Sequence, residues 1–329
     1  MKKLLLTLLL GITGVSYAQG PGPDCNKVKA GFPAPEGITS INASGCAINE
    51  IPAELGSLLA VVTIDLSDNN IQFLPESVGL LKALRSLNLH QNHLISVQLT
   101  LGELVDLEEL DLGMNDLKKL PRPFWNLINL KKLILSYNDI PELSESIGSM
   151  TKLEVLELEN LGLARTPKNL KKLIAIQVLN LNFNELTEFP EAIGKMSEMT
   201  ELHLEGNQIE MIETDLSALT KVQKLYLAEN QINELPESME VMTDMRYIEL
   251  QSNNLSKLPD GIGAMVELIS LNAEFNQLAS LPEDIGNASK LTKLLLTENR
   301  IKSLPQSIGK LKELVILELA TNELVELPS

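Results

Sequence analysis

The chain repeats itself every 23 residues, and this period limits its possible folds more than any other feature. Units aligned on the period start at Ile38 and continue without a slip to Leu314, which is 12 steps of 23. The array therefore has thirteen units, and the last one is cut short at Ser329. Such a period is typical of a solenoid whose units stack side by side, so we predict one extended domain over 38–329.

Each unit opens on the template LxxLxLxxNxL, as over 107–117, and several units continue with LPxxIG or a close variant, as over 281–286. Apolar residues that alternate at period two indicate a strand with one face buried and the other in solvent. The proline and the acid that often follows it suit the start of a short helix. Each unit therefore predicts one strand and one short helical element.

These motifs resemble the leucine-rich repeat family in its 23-residue LPxxIG form, which occurs in Ras-associated scaffold proteins, related plant proteins and many bacterial proteins. The resemblance covers 38–329. It implies an α/β horseshoe-shaped solenoid with a parallel sheet on the concave side, short helices on the convex side and ligand recognition by the concave strands. It also implies a protein that is not an enzyme, since the family includes few enzymes.

The ninth position of the unit is expected to hold a structural ladder, because an amide side chain can satisfy backbone groups buried where the chain turns. Two units depart from it, with Cys46 and Leu161. Leu161 can neither donate nor accept through its side chain, which predicts a local cost of about 1–3 kcal/mol. The asparagines are Asn69, Asn92, Asn115, Asn138, Asn184, Asn207, Asn230, Asn253, Asn276, Asn299 and Asn322.

A glycine recurs in the second half of many units. We expect it to allow close approach of neighbouring coils and not to bind phosphate. The residues concerned are Gly79, Gly148, Gly194, Gly263, Gly286 and Gly309.

The first 37 residues have a different character. Lys2 and Lys3 precede an apolar run and then a small-residue site at 16–18, which predicts a secretory signal over 1–18. The apolar run of 12 residues falls short of the roughly 20 that span a membrane. A Pro/Gly-rich leader follows over 19–37. We therefore predict export to the periplasm, the cell surface or the medium, with no membrane insertion after cleavage, and this disfavours Ras-type scaffolding in the cytosol.

The negative charge of the chain limits the classes of partner that it can bind. There are 27 Lys+Arg against 44 Asp+Glu, a formal charge of −17, and loss of Lys2 and Lys3 with the signal makes it −19. So acidic a surface repels nucleic acid and bare anionic membrane. No GxxxxGK[ST] phosphate loop occurs, and the three histidines are too dispersed for one metal site. We predict no cofactor, no metal and no catalytic residues.

Cys25 and Cys46 are the only cysteines, and two interpretations of them stay open. They form a disulfide that pins the leader over the first coil, as an exported protein allows, or Cys46 merely replaces a ladder asparagine and Cys25 is a free thiol.

The third, fifth, seventh and eighth positions of each unit are expected to face solvent on the concave side. Five of the chain's 11 aromatic residues fall at these positions among many carboxylates. Tyrosine and phenylalanine are common hot spots of protein interfaces. The predicted partner-binding residues are Asp111, Met114, Tyr137, Glu157, Phe183, His203, Glu205, Tyr226, Tyr247, Glu249 and Phe275. As an alternative, Tyr137, Phe183 and Phe275 pack along the stack, and the carboxylates serve only solubility.

These features favour an exported, non-enzymatic scaffold that binds a protein, of basic character, through its concave face. A glycan-binding or carbohydrate-active protein is the alternative, since carboxylates two strands apart fall near glycosidase separations of roughly 5–9.5 Å. A purely structural surface-layer element is a third reading. The truncated last unit also predicts an exposed apolar end that frays or associates end to end.

Overall fold

A computed structural model describes residues 23–32 and 37–328 of the chain. Thirteen short strands form one parallel sheet in which strand order follows chain order. Each strand pairs with residues 23 positions further on, as Ile64 does with Leu87. The leucine-rich horseshoe with a concave parallel sheet is therefore confirmed, and its register follows the repeat.

Every strand has three residues, the third to fifth positions of its unit, so that one template leucine stands at the centre of each strand. The strands are β1 Ser40–Asn42, β2 Thr63–Asp65, β3 Ser86–Asn88, β4 Glu109–Asp111, β5 Lys132–Ile134, β6 Val155–Glu157, β7 Val178–Asn180, β8 Glu201–His203, β9 Lys224–Tyr226, β10 Tyr247–Glu249, β11 Ser270–Asn272, β12 Lys293–Leu295 and β13 Ile316–Glu318.

The convex elements are short helices, as predicted, but they are 3₁₀ helices of three or five residues, the form that short connecting helices often take. Pro75 and Pro282 stand directly before them in extended conformation. Over the eighth unit, 199–221, the structure describes no 3₁₀ helix. The 3₁₀ helices are Ala53–Ser57, Glu76–Leu80, Leu99–Glu103, Arg122–Asn126, Glu145–Ser149, Lys168–Lys172, Glu191–Lys195, Glu237–Val241, Ile262–Ala264, Glu283–Asn287 and Gln306–Lys310.

The core is one apolar cluster that runs along the solenoid between the sheet and the 3₁₀ helices. The template leucines fill it: Leu110, Leu133 and Leu156 are at most 1% exposed. The convex glycines let the coils close on this core. A Cβ added to Gly286 would lie 2.1 Å from the carbonyl oxygen of Ser307 in the next coil, whereas one added to Gly309 meets no described atom within 4 Å. The close-approach explanation therefore holds for Gly286 but not for Gly309.

A helix, α1 Cys25–Lys29, covers the first coil from within the predicted leader. Asp24 holds it there, because its carboxylate accepts from the amide of Asn42 in β1 at 2.9 Å. Cys25 and Cys46 are joined by a disulfide, with Cα atoms 5.4 Å apart. Of the two interpretations left open, the structure therefore has the bonded one. The predicted signal over 1–18 lies outside the described residues, and no described helix is long and apolar enough to cross a membrane.

The asparagine ladder has the same bonds in every coil that carries it. Asn92, for example, donates through Nδ2 to the carbonyls of Leu66 and Leu89, and its Oδ1 accepts from the amide of Ile71. All eleven ladder asparagines accept in this way from an amide 21 residues earlier. Cys46 also bonds 21 residues back, covalently, to Cys25.

Leu161 leaves one gap in this ladder. Its side chain is buried, its own amide donates to Asn184 Oδ1 at 3.1 Å, and Gly162 turns left-handed at φ +77°. The carbonyls of Leu135 and Leu158 still accept from neighbouring ladder asparagines. The amide of Ile140, 21 residues before Leu161, has no ladder oxygen to which it can donate. It donates to no other described residue.

A Leu161→Asn variant is expected to raise the free energy of unfolding by about 1 kcal/mol, because the new Oδ1 would accept from the Ile140 amide and outweigh the lost leucine burial. Urea denaturation measures this. Leu161→Ala is the control, since it removes apolar volume without adding an acceptor and should cost about 2–5 kcal/mol. Unchanged or lower stability of Leu161→Asn would contradict the role given to the orphaned amide.

The last coil exposes apolar residues that earlier coils bury. Leu317 and Leu327 occupy core positions of the template yet are 38% and 70% exposed, whereas Leu74, the equivalent of Leu327 in the second unit, is 2% exposed. End-to-end association through this coil stays a prediction.

Candidate functional site

The concave surface is made by the first and third residues of every strand, because the central residue points into the core. In β8, Leu202 is 1% exposed while Glu201 and His203 are half-buried on the concave side. The parallel register then aligns equivalent residues of successive strands into rows. Side chains 23 residues apart in the chain are thereby neighbours on this face.

Five residues define what we call the central concave row: Glu157, Asn180, His203, Tyr226 and Glu249. They are the third residues of β6 to β10, and each is paired in register with the next. Four of them are half-buried, and Asn180 is only 5% exposed. The row is a continuous strip of two carboxylates, an amide and two rings.

His203 and Tyr226 form the centre of the row. Their rings stack with centroids 4.4 Å apart and an interplanar angle of 16°. Glu201 secures the stack, since its Oε2 lies 3.6 Å from His203 Nε2 and its Oε1 accepts from Lys224 Nζ at 2.8 Å. The two rings are thus held in a fixed orientation before any partner arrives.

The pKa of Glu201 falls from its ordinary value of 4.5 to about 2, because the His203 imidazole and then Lys224 stabilise its carboxylate. Opposite shifts occur elsewhere on this face. Burial raises the pKa of Glu157 and of Glu249. The pKa of Glu205 is raised by burial and then by the nearby carboxylates of Glu229, Glu159 and Glu249. A cation placed among Glu157, Glu205 and Glu249 would favour the charged forms of these three carboxyls.

Glu201 is expected to make the protein less stable in acid. Its pKa is depressed in the folded state, so its contribution is present above about pH 4.5 and is lost as the pH falls toward about 2. Between about pH 6 and pH 3, wild type should lose about 1–2 kcal/mol more stability than Glu201→Gln. Urea midpoints of both proteins across this range measure the difference. Parallel pH profiles would contradict the predicted coupling.

The aromatic residues of the eighth position behave differently from those of the central concave row. The eighth residue of all thirteen units is left-handed, with φ between 52° and 67°. The Tyr137 hydroxyl donates to Glu159 of the next coil, and burial with that carboxylate raises the Tyr137 pKa. The Phe183 ring lies over Gly206, where an added Cβ would be 2.4 Å from Cδ1. Tyr137 and Phe183 thus pack along the stack, whereas Phe275 is 55% exposed.

The predicted partner-binding residues do not all come together. Glu157, Phe183, His203, Glu205, Tyr226, Tyr247 and Glu249 lie in the coils of β6 to β10. Asp111 and Met114 belong to the coil of β4, where Asp111 Oδ1 lies 3.2 Å from His90 Nδ1. Phe275 follows β11. The candidate site is therefore shorter than the whole face.

Sequence reasoning did not select several residues of this face. Lys132, Lys224 and Lys293 begin β5, β9 and β12, so cations interrupt the acidic face. Asn182 is buried, and its Oδ1 accepts from the Glu205 amide at 2.7 Å. The three lysines could have been found, because they occupy the same template position as Tyr247, which was predicted from the sequence. The described residues contain no cluster suited to a metal ion.

Solved structures with the same fold identify the class. A leucine-rich repeat protein of Leptospira interrogans superposes with a TM-score of 0.81 at 31% identity, covering 86% of this chain and 72% of that one. The chain therefore belongs to the leucine-rich repeat family.

Two plant receptors are also similar. The ectodomain of the Arabidopsis thaliana receptor kinase SCHENGEN3, in complex with CASPARIAN STRIP INTEGRITY FACTOR 2, has a TM-score of 0.69 at 26% identity, covering 85% of this chain and 38% of that one. The plant peptide hormone receptor RGFR1 in complex with RGF2 has a TM-score of 0.61 at 26% identity, covering 85% and 54%. No protein-family model and no curated protein sequence matches the chain.

Proposed function

We propose that this protein is an exported, non-enzymatic scaffold of the LPxxIG type. It binds a polypeptide partner on its concave face, between about Glu109 and Glu298, with the coils of β6 to β10 at the centre of the contact. The central concave row is the main support for this proposal. Its residues are held in a fixed register by the solenoid, so little conformational entropy is lost when a partner binds. The two plant receptors with bound ligands support a polypeptide as the partner.

The chemistry of the concave face around the central concave row favours a basic partner. Glu157, Glu205 and Glu249 hold their protons more tightly than ordinary carboxyls, since they are half-buried. A lysine or arginine side chain entering among them would pair with charges that are now poorly compensated. The stacked rings of His203 and Tyr226 add a rigid aromatic contact beside these carboxylates.

Export is supported by the secretory signal predicted over 1–18 and by the Cys25–Cys46 disulfide. Disulfides persist in oxidising compartments and are rare in the cytosol.

Charge reversal on the concave face tests the proposal. The full chain is immobilised, a binding protein from the native envelope or medium is identified, and its Kd is measured for Glu205→Lys/Glu249→Lys and for Tyr226→Ala/Tyr247→Ala. Both variants should bind at least about tenfold more weakly. Glu76→Lys/Glu283→Lys makes the same charge change on the convex helices and should leave Kd within about twofold. Equal losses in the convex and concave variants would refute a concave site.

The alternative of a carbohydrate-active protein has one observation in its favour, since burial raises the pKa of Glu157 and Glu249 as a general acid requires. However, β6 and β10 are four strand spacings apart, roughly 19 Å, so these two residues cannot form one glycosidase pair. Release of reducing sugar from a polysaccharide panel, lost in Glu157→Gln or Glu249→Gln, would favour this alternative over the scaffold.

A further inference from the structure

The sixth unit, 153–175, departs from the repeat on its convex side. Lys168 stands where Glu145 and Glu191 stand in the neighbouring units, and Lys171 stands where those units have glycine. The same unit carries Leu161 at the ladder position. Other units also depart from the pattern, such as the fourth with Trp125 at the glycine position, but the sixth is the one that has lysine at both positions.

A cavity of about 540 Å³ opens beside these lysines, between the sixth and seventh coils. Its buried lining residues are Pro167, Phe189, Pro190 and Ala192. Two proline rings and a phenylalanine make an apolar floor with flat surfaces. A floor of this kind suits a ring-shaped group more than an extended chain of point charges.

The rim of the cavity is positively charged. Arg165, Lys168, Lys171 and Lys195 line it, and all four side chains are exposed. None of the three lysines forms an ion pair with a described residue, and Arg165 only approaches Glu142, at 3.8 Å. In a chain of net charge −17, four cations around one cavity produce a local field of opposite sign, which favours an anionic ligand.

Glu188 and Glu191 also line the cavity. Two carboxylates would repel a ligand made only of anionic groups, but they accept hydrogen bonds from hydroxyls. A sugar that carries a negative charge would match all three features of the cavity. Its charge would pair with the cations, its hydroxyls would donate to the carboxylates, and its ring would contact the apolar floor. We propose that this cavity binds a polysaccharide whose sugar rings bear carboxylate groups, at a site separate from the concave face.

The test uses the full chain and polygalacturonate at low ionic strength, with affinity measured by calorimetry. Lys168→Glu/Lys171→Glu should weaken binding at least about tenfold, because charge reversal turns attraction into repulsion. Lys118→Glu/Lys119→Glu makes the same charge change at exposed positions of the fourth coil and should weaken it by less than about twofold. Lys168→Ala/Lys195→Ala is a milder second pair, in case the first pair fails to fold.

Three comparisons decide the outcome. Poly-L-glutamate carries carboxylates without sugar rings, and dextran carries rings without charge, so tight binding of either would overturn the proposal. Equal loss in the fourth-coil control, or no binding to polygalacturonate at all, would also overturn it. Retained polygalacturonate binding in Glu205→Lys/Glu249→Lys would support a site distinct from the proposed concave one, and its loss would argue against that separation.

Discussion

Replacing Gly286 with alanine is expected to lower the free energy of unfolding by about 3 kcal/mol. The new Cβ would lie 2.1 Å from the Ser307 carbonyl oxygen and 2.7 Å from its carbonyl carbon. Both atoms belong to backbone, so no side chain can rotate away. The 3₁₀ helices of the eleventh and twelfth coils would have to separate, opening the core between them. Urea denaturation of Gly286→Ala against wild type measures this cost.

Gly309→Ala is the matched control, because Gly309 has the same place in the next unit but meets no described atom within 4 Å of an added Cβ. Its backbone is not left-handed, so alanine should restrict the unfolded chain and stabilise the protein by about 0.4–1 kcal/mol. The two substitutions are thus expected to have opposite signs. Similar effects of both would mean that helix propensity, and not the contact between coils, explains the recurring glycine.

Removing two adjacent members of the asparagine ladder is expected to cost more than the sum of the single changes. Asn253 and Asn276 both donate to the carbonyl of Leu250, at 3.0 and 2.9 Å. Asn253→Leu leaves that carbonyl one bond but orphans the Ile232 amide, which should cost about 2–4 kcal/mol. Asn253→Leu/Asn276→Leu also leaves the Leu250 carbonyl without a ladder donor, so the double variant should exceed additivity by about 1–3 kcal/mol.

Asn92→Leu/Asn253→Leu is the control pair, since the two residues share no bonding partner and their effects should add within about 0.5 kcal/mol. Both double variants are measured by urea denaturation with the three single variants. The overlap of bonds also explains how the natural chain tolerates Leu161, where only the Ile140 amide is orphaned. Additivity in the adjacent pair would refute shared carbonyl bonding as the basis of the ladder.

Much of this architecture could be predicted, because the repeat encodes the fold locally. The template predicts which residue of each strand points inward. Because identical units stack, residues of neighbouring strands pair at a separation of 23 residues, as Tyr226 and Glu249 do. The ladder positions and the close approach at Gly286 follow from the same rule. Gly309 was assigned wrongly, because its glycine matches the template although no described coil atom approaches it.

The candidate site was less predictable. Tyr226 and His203 were selected from strand alternation, but their stacking depends on two coils lying side by side. Tyr137 and Phe183 were selected in the same way and instead pack on Glu159 and Gly206. Packing along the stack was the alternative that the sequence left open for them. Phe275 has the same left-handed backbone and is 55% exposed, so contacts with the next coil, and not the backbone alone, decide which ring packs.

The amino-acid sequence by itself determined the number of coils, their register, the ladder and the set of side chains offered to the concave side. These properties depend only on residues within one 23-residue period, so they can be read without knowing any contact. Only the tertiary structure decided that Cys25 reaches Cys46, that Glu201 holds His203 beside Lys224 and that cations of two coils surround one cavity. Each of these depends on distances between side chains in separate coils, which stacking creates.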